Sequence, residues 1–214
     1  MAQVQTLGQI LQKRDSNAQQ MQQVSLQNSL QKTNHQLIEK YGNVEVFLER
    51  FNPSFQMEIC GNANDCYFGE YPTLAEIRKN YGDKVPTSWL IPQLYNLSEY
   101  CGVKEKLEGA PLKETAFVIA TEFYYLKISE IMLFFHRFKT GRYGRFYGNV
   151  DPLVITTSLR DFIVERNNAY MKKEQEEYWR KQEESRKNAI TWEEYCKRKG
   201  IEGKPNPLEQ FTEK

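Results

Sequence analysis

Residues 131–152 read IMLFFHRFKTGRYGRFYGNVDP, which is an apolar helical stretch, a turn with three glycines, and a new helix start. The apolar run that ends at Phe138 has the composition of a buried helix. Asp151 followed by Pro152 indicates a helix N-terminus, because the carboxylate caps free amides and proline suits the first helical position. The stretch therefore predicts two helices joined by a glycine turn.

Helix signals continue on the N-terminal side of this stretch. Thr73 and Glu76 have the spacing of a capping box, and that helix is predicted to end at Gly82. A further helix is predicted from about residue 86 to Tyr100, followed by Gly102. The capping box and the glycines that predict the ends of these two helices lie within a few residues of those ends.

Residues 112–126 are apolar on nearly all sides, so we expect this helix at the centre of a bundle. Ser129 is predicted to cap the helix that follows it. Residues 60–71, which are rich in asparagine and glycine, predict a loop.

The helix that begins at Pro152 changes character along its length. Apolar residues recur at helical spacing as far as Tyr170, and the sequence then becomes rich in lysine, glutamate, glutamine and arginine. The fold class predicted from these patterns is all-α: an irregular helical bundle with a flexible Gln-rich N-terminal arm and a long charged C-terminal helix. The predicted divisions are residues 1–40 for the arm, partly disordered, 41–170 for the core, and 171–214 for the extension and tail.

The 214 residues carry a net charge of +1 at pH 7, so no global charge attracts the chain to nucleic acid or to membranes. Four cysteines and the absence of a signal peptide favour reduced thiols in the cytoplasm of a bacterial host. The longest apolar runs are interrupted by charged residues, which excludes a transmembrane helix.

Positive charge and aromatic rings are concentrated in the glycine turn. The cations favour phosphate contacts, and the rings favour stacking on unpaired bases. The alternative is that the rings anchor the turn in the core and that the arginines are solvated or paired with carboxylates. The predicted nucleic-acid-binding residues are Arg137, Lys139, Arg142, Tyr143, Arg145, Phe146 and Tyr147.

Tyr178 and Trp179 are the large apolar residues of the charged helical segment. Adjacent aromatic residues on a charged surface are typical anchors for a protein partner. A solvated extension without such a contact is the other interpretation.

Motifs for catalysis are missing from the sequence. No phosphate-binding loop ends in Gly-Lys-Ser or Gly-Lys-Thr, and the glycines of the turn follow a helix rather than a strand. Neither His35 nor His136 has the spacing of a zinc site. We therefore expect no enzyme activity, no cofactor and no metal site.

Three runs and the turn carry a family resemblance. Tyr71–Leu74 (YPTL), Trp89–Leu94 (WLIPQL), Leu126–Phe135 (LKISEIMLFF) and residues 141–151 resemble a family of small helical proteins from phages and mobile elements of gut Bacteroidetes, to which no activity is assigned. The layout of helix, Gly-x-x-Gly-x-x-Tyr and helix also resembles small replication accessory proteins, including helicase loaders and replisome organisers. This resemblance implies no catalytic residues.

The expected function is that of a non-enzymatic accessory protein of DNA replication or maintenance on a phage or mobile element. Its expected partners are single-stranded DNA and a replicative helicase or another replication protein. The alternative is a structural or assembly protein that forms homo-oligomers through its N-terminal arm and has no role with nucleic acid.

Overall fold

The computed structural model describes residues 37–200, and within this range the regular elements are all helical. The predicted all-α fold class is confirmed. The N-terminal arm up to residue 36 and the tail from residue 201 lie outside the described residues. After a helical segment at residues 37–41, the elements are α1 (Val44–Arg50), a 3-10 turn (Pro53–Phe55), α2 (Gln56–Ile59), α3 (Ala63–Phe68), α4 (Leu74–Tyr81), α5 (Val85–Cys101), α6 (Gly109–Glu122), α7 (Ile128–Lys139), α8 (Pro152–Lys187) and α9 (Trp192–Lys199).

Helix α7 is the central helix of the core. Every residue from Ile128 to Phe135 is buried, and Phe138 is 3% exposed. The helices packed around it are α2, α3 and α5. A helix in this position needs apolar side chains on most of its faces, since it has neighbours on most of its sides.

The prediction that residues 112–126 form the central helix is wrong. Helix α6 buries Ala116 and Ile119 and packs against α5, but Phe117 is 59% exposed and Val118 is 41% exposed. An apolar composition permits burial on every face, but the number of neighbouring helices decides how many faces are covered.

Two local predictions are also corrected. Helix α3 lies inside the predicted loop, and the side-chain oxygen of Asn62 caps it by accepting a hydrogen bond from the Asn64 amide at 3.0 Å. Ser129 does not cap α7, because its hydroxyl donates to the carbonyl oxygen of Cys66 at 2.8 Å. The amide of Lys127 instead donates to the carboxylate of Glu130 at 2.9 Å.

The predicted capping box at the start of α4 is present. The Glu76 amide donates to the Thr73 hydroxyl at 3.2 Å, and the Thr73 amide donates to the Glu76 carboxylate at 2.8 Å. Gly82 and Gly102 follow α4 and α5 with positive φ, as their places after the helix ends predict.

The chain divides into two units, with the first ending at Val164 and the second beginning at Glu165. The Asp151 carboxylate accepts a hydrogen bond from the Leu153 amide at 2.8 Å and caps α8 as predicted. The buried residues of α8 are Ile155, Ser158, Leu159 and Phe162, all within the first unit. Full burial therefore ends at Phe162, before the apolar stripe of the sequence ends at Tyr170.

Candidate nucleic-acid interface

The basic aromatic turn is defined here as residues 137–148, from the last turn of α7 to the approach to α8. All three glycines of the turn have positive φ: 81° at Gly141, 101° at Gly144 and 83° at Gly148. Side chains are strained in this region of backbone space, so glycine permits the path of the turn. The Gly141 amide also donates to the Phe138 carbonyl at 2.9 Å, which ends α7 with a tight turn.

Aromatic rings attach the turn to the core. Phe146 stacks on the buried Phe138 ring, with 5.1 Å between centroids and 16° between planes. The Tyr143 ring lies 5.4 Å from Phe134 and 6.1 Å from Phe138. Tyr143 and Phe146 are half-buried. These two rings therefore anchor the turn in the core, which is one of the two roles that the sequence allows for them.

The far end of the turn is held by backbone hydrogen bonds. The Glu105 amide donates to the Gly148 carbonyl at 3.2 Å, and the Val150 amide donates to the Glu105 carbonyl at 3.1 Å. These bonds connect the end of the turn to the segment between α5 and α6. The turn is thus fixed at both ends.

Arg137 points toward the fold. It donates to the Tyr67 hydroxyl at 2.6 Å, and its guanidinium lies over the rings of Tyr67 and Phe162 at 5.6 Å and 5.9 Å. Tyr67 is 4% exposed and Phe162 is fully buried. Because it is engaged with buried rings, Arg137 supports the packing of α3 and α8 against α7.

Lys139 belongs to a polar network in the core. Its ammonium group donates to the Gln56 side-chain oxygen at 2.6 Å and also to the side-chain oxygen of Asn96. Gln56 in turn donates to Gln93 at 2.6 Å, and Gln93 donates to the Phe51 carbonyl at 2.8 Å. Burial lowers the pKa of Lys139, and the nearby thiols of two cysteines oppose this shift.

The outer part of the turn faces solvent. Arg142 and Arg145 are exposed, and Tyr147 is 86% exposed. The two arginines are able to contact phosphates, and the exposed ring of Tyr147 is able to stack on a base. The structure therefore separates the predicted residues into an inner group, which comprises Arg137, Lys139, Tyr143 and Phe146, and an outer group, which comprises Arg142, Arg145 and Tyr147.

A groove of about 320 Å³ runs beside the outer group. Its walls include Arg145, Phe146, Lys139 and Tyr100 from the end of α5. The Lys139 ammonium lies 5.8 Å from the centre of the Tyr100 ring, which is 64% exposed. Tyr100 was not among the predicted site residues, although its place off the inward-facing stripe of α5 was a usable signal.

The predicted partner-binding residues lie in the second unit, on α8. Tyr178 is 55% exposed and Trp179 is 60% exposed, with their ring centroids 5.7 Å apart. The surrounding helix carries ion pairs at i, i+4 spacing, including Lys187 with Glu183 at 2.8 Å. The pair is therefore an accessible aromatic surface on a charged helix.

A wider open cleft of about 920 Å³ lies next to α1 and α3. Its carboxylates include Glu58 and Asp65, which are exposed, and Glu70, which pairs with Lys40 at 3.2 Å. General acid–base catalysis uses carboxylates that converge on a substrate in a closed environment. None of the three carboxylates has that environment, since Glu70 is also exposed, so Glu58, Asp65 and Glu70 do not form a catalytic pair of this kind.

Two kinds of feature are absent from the part of the chain that the structure describes. Between residues 37 and 200, no helix is long and apolar enough to cross a membrane. In the same range, no group of three or more histidine, cysteine, aspartate or glutamate side chains is placed to hold a metal ion.

Comparison with known proteins adds one finding. No curated protein and no solved structure matches the chain. A protein-family model does match residues 106–206, a segment that includes α6, α7, the basic aromatic turn and α8. The matching model is that of a family of unknown function, DUF6633, and it covers slightly less than half of the chain.

Proposed function

We propose that the protein is a non-enzymatic accessory factor of DNA replication or maintenance on a phage or mobile element, acting in the cytoplasm of a bacterial host. It contacts single-stranded nucleic acid through the outer group of the basic aromatic turn. The observation that carries the proposal is the exposure of Tyr147, at 86%, beside the exposed Arg142 and Arg145. An aromatic ring in that position offers a face to a base, and each arginine offers a guanidinium to a phosphate.

The structure of the turn supports a preformed site. The turn is held by the stacking of Phe146 on Phe138 and by the hydrogen bonds that connect its far end to Glu105. A fixed backbone lowers the conformational entropy that is lost when a ligand binds. The groove beside Tyr100 provides a second aromatic surface, which would let adjacent bases contact different rings.

The proposed protein contact uses the second unit. A replicative helicase or another replication protein would bind the exposed Tyr178 and Trp179 pair on α8. Aromatic residues contribute strongly to protein interfaces, because they bury a large apolar area with few rotatable bonds. Changing both residues to serine should remove this contact without changing nucleic-acid binding.

The test is fluorescence anisotropy with a labelled single-stranded oligonucleotide, at several salt concentrations. Changing Arg142→Glu and Arg145→Glu together should weaken binding at least about tenfold. The salt slope should fall by about 0.7 for each phosphate that the variant no longer neutralises. Circular dichroism should show an unchanged helix content.

The matched control is Lys79→Glu with Lys113→Glu, which changes net charge by the same amount at exposed positions of α4 and α6. This control should retain most of the binding. Equal losses in both double variants would show that bulk charge, and not the turn, governs binding. No binding by the parent protein at low salt would refute the nucleic-acid role.

A second candidate function is that of a structural or assembly protein. It is supported by exposed aromatic residues at α6 and just after it, where Phe117 is 59% exposed and Tyr124 is 51% exposed. Large apolar groups on a surface are typical of protein contacts. The N-terminal arm, for which the sequence predicted this role, lies outside the described residues.

Light scattering distinguishes the two functions. For an assembly protein, Phe117→Asp with Tyr124→Asp should lower the mass of the full-length protein in solution, with no nucleic-acid binding to lose. A parent protein that is monomeric at every concentration would exclude this second candidate.

A further inference from the structure

Two buried cysteines meet at the junction of α2 and α3. Cys60 follows α2 and is 6% exposed, and Cys66 lies within α3 and is fully buried. The Cys66 sulfur lies 3.3 Å from the carbonyl oxygen of Ile59, which is the peptide group bonded to Cys60.

We propose that Cys60 and Cys66 form a redox-modification site that closes into an intramolecular disulfide when the protein meets a peroxide. The site is separate from the outer group of the turn, and the proposal does not depend on nucleic-acid binding.

The surroundings favour thiolate chemistry over metal binding. Positive charge acts on both thiols from Arg137 and on Cys60 from Lys139, whereas burial and the carboxylates of Asp65 and Glu130 oppose the ionisation of Cys66. Cations stabilise a thiolate and repel a metal ion. The interaction between the two thiols lowers the pKa of Cys66 and raises that of Cys60, so Cys66 is the thiol that ionises first.

The open cleft beside α3 reaches the neighbours of both cysteines. Its walls include Ile59 and Gly61, on either side of Cys60, and Asp65, next to Cys66. Only a short segment with exposed Gly61 and Asn62 separates α2 from α3, so a small approach of the two sulfurs does not require the central helix α7 to move.

The reaction balances with peroxide as the oxidant. The Cys66 thiolate attacks one peroxide oxygen, the O–O bond breaks, and a sulfenic acid and one water result once a proton is taken up. The Cys60 thiol then attacks the sulfenic sulfur, the S–S bond forms, and the second water leaves. Two thiols are oxidised by two electrons, and one hydrogen peroxide is reduced to two water molecules.

The experiment uses the full-length protein and exploits its trypsin sites. No lysine or arginine lies between Arg50 and Arg78, so both cysteines fall in the single peptide 51–78. Folded protein is treated with hydrogen peroxide, then denatured, alkylated, digested and measured by mass spectrometry. We expect this peptide to lose both alkyl groups and to become two hydrogens lighter, while Cys101 and Cys196 are still alkylated.

Single variants provide the controls. Cys60→Ser and Cys66→Ser should each abolish the lighter peptide, and thioredoxin or another dithiol reductant should restore double alkylation of the parent protein. Circular dichroism and thermal unfolding establish that each variant is folded. Double alkylation after peroxide treatment, or a disulfide that forms only in urea, would overturn the proposal.

Discussion

Arg137 and Arg145 belong to the same basic aromatic turn but have different surroundings. Arg137 donates to the hydroxyl of the buried Tyr67 and lies over two rings, whereas Arg145 is exposed at the edge of a groove. The aromatic residues divide in the same way, since Phe146 stacks on the core and Tyr147 extends into solvent. Residue type therefore does not separate structural from exposed positions in this turn, whereas contact with core side chains does.

The largest effect should come from removing the buried α7 ring of Phe134, on which the turn packs. Phe134 is fully buried and lies within 6 Å of the rings of Phe135, Phe138, Tyr143 and Phe162. Phe134→Ala should lower the free energy of unfolding by about 3–5 kcal/mol, because it removes apolar contact and leaves a cavity. Urea unfolding measures this quantity.

The outer ring supplies the control for that change. Tyr147→Ala should alter the free energy of unfolding by less than about 0.5 kcal/mol, because the side chain is almost wholly in solvent. Similar losses in the two variants would contradict the contrast between the buried ring of Phe134 and the exposed ring of Tyr147.

The two arginines provide a second comparison, of intermediate size. Arg137→Met should lower the free energy of unfolding by about 1–3 kcal/mol, since it leaves the Tyr67 hydroxyl without its charged donor. Arg145→Met should stay within about 0.5 kcal/mol of the parent protein. Thermal unfolding of the two variants in the same buffer measures both changes. A larger loss of stability in Arg145→Met than in Arg137→Met would refute the prediction.

Backbone conformation gives a smaller effect. Gly144 has a φ of 101°, so Gly144→Ala should cost about 1–2 kcal/mol even though the added methyl group meets open space. Gly61→Ala is the control, because Gly61 lacks a positive φ and a methyl group there meets only ordinary contacts of 3.6 Å or more. Equal stability of the two variants would show that the turn adapts its backbone.

The smallest effect is a difference in titration between two lysines. Burial lowers the pKa of Lys139, while a hydrogen bond to Glu99 raises the pKa of Lys106, both relative to 10.5. NMR of labelled lysine side chains should therefore show Lys139 losing its proton at a lower pH than Lys106. If Lys139 still loses its proton at a lower pH than Lys106 in the Glu99→Gln variant, the Glu99 carboxylate is not needed for this order of titration.

These shifts affect stability in opposite directions. Because the folded pKa of Lys139 is lowered, its charge opposes folding below the unfolded value of 10.5, and this penalty disappears as the pH rises from the folded pKa to that value. The contribution of Lys106 is fully present below 10.5 and is lost as the pH rises through its raised folded pKa.

Several features were predictable from the sequence because their causes are local. The capping box of Thr73 and Glu76 and the Asp151 cap involve atoms within three residues of one another. The glycine turn was likewise recognisable, since positive φ at Gly141 and Gly144 depends on the backbone of those residues.

Other features were not predictable, because they depend on distant parts of the chain. Helix α6 has the composition of a central helix, yet Phe117 is exposed. The inner role of Lys139 depends on Gln56 and Asn96, which lie 83 and 43 residues away in the sequence. No pattern around Lys139 indicates these partners.

Local sequence is enough to specify an all-α chain whose caps and glycines mark most helix ends and whose cations and rings concentrate in one turn. These properties follow from steric limits and hydrogen bonds within a few residues. The packing of distant segments was needed to establish that α7 is the central helix, that Arg137 and Lys139 serve the core, and that Arg142, Arg145 and Tyr147 face solvent. Burial depends on which segments meet in space, and that is a property of the whole fold.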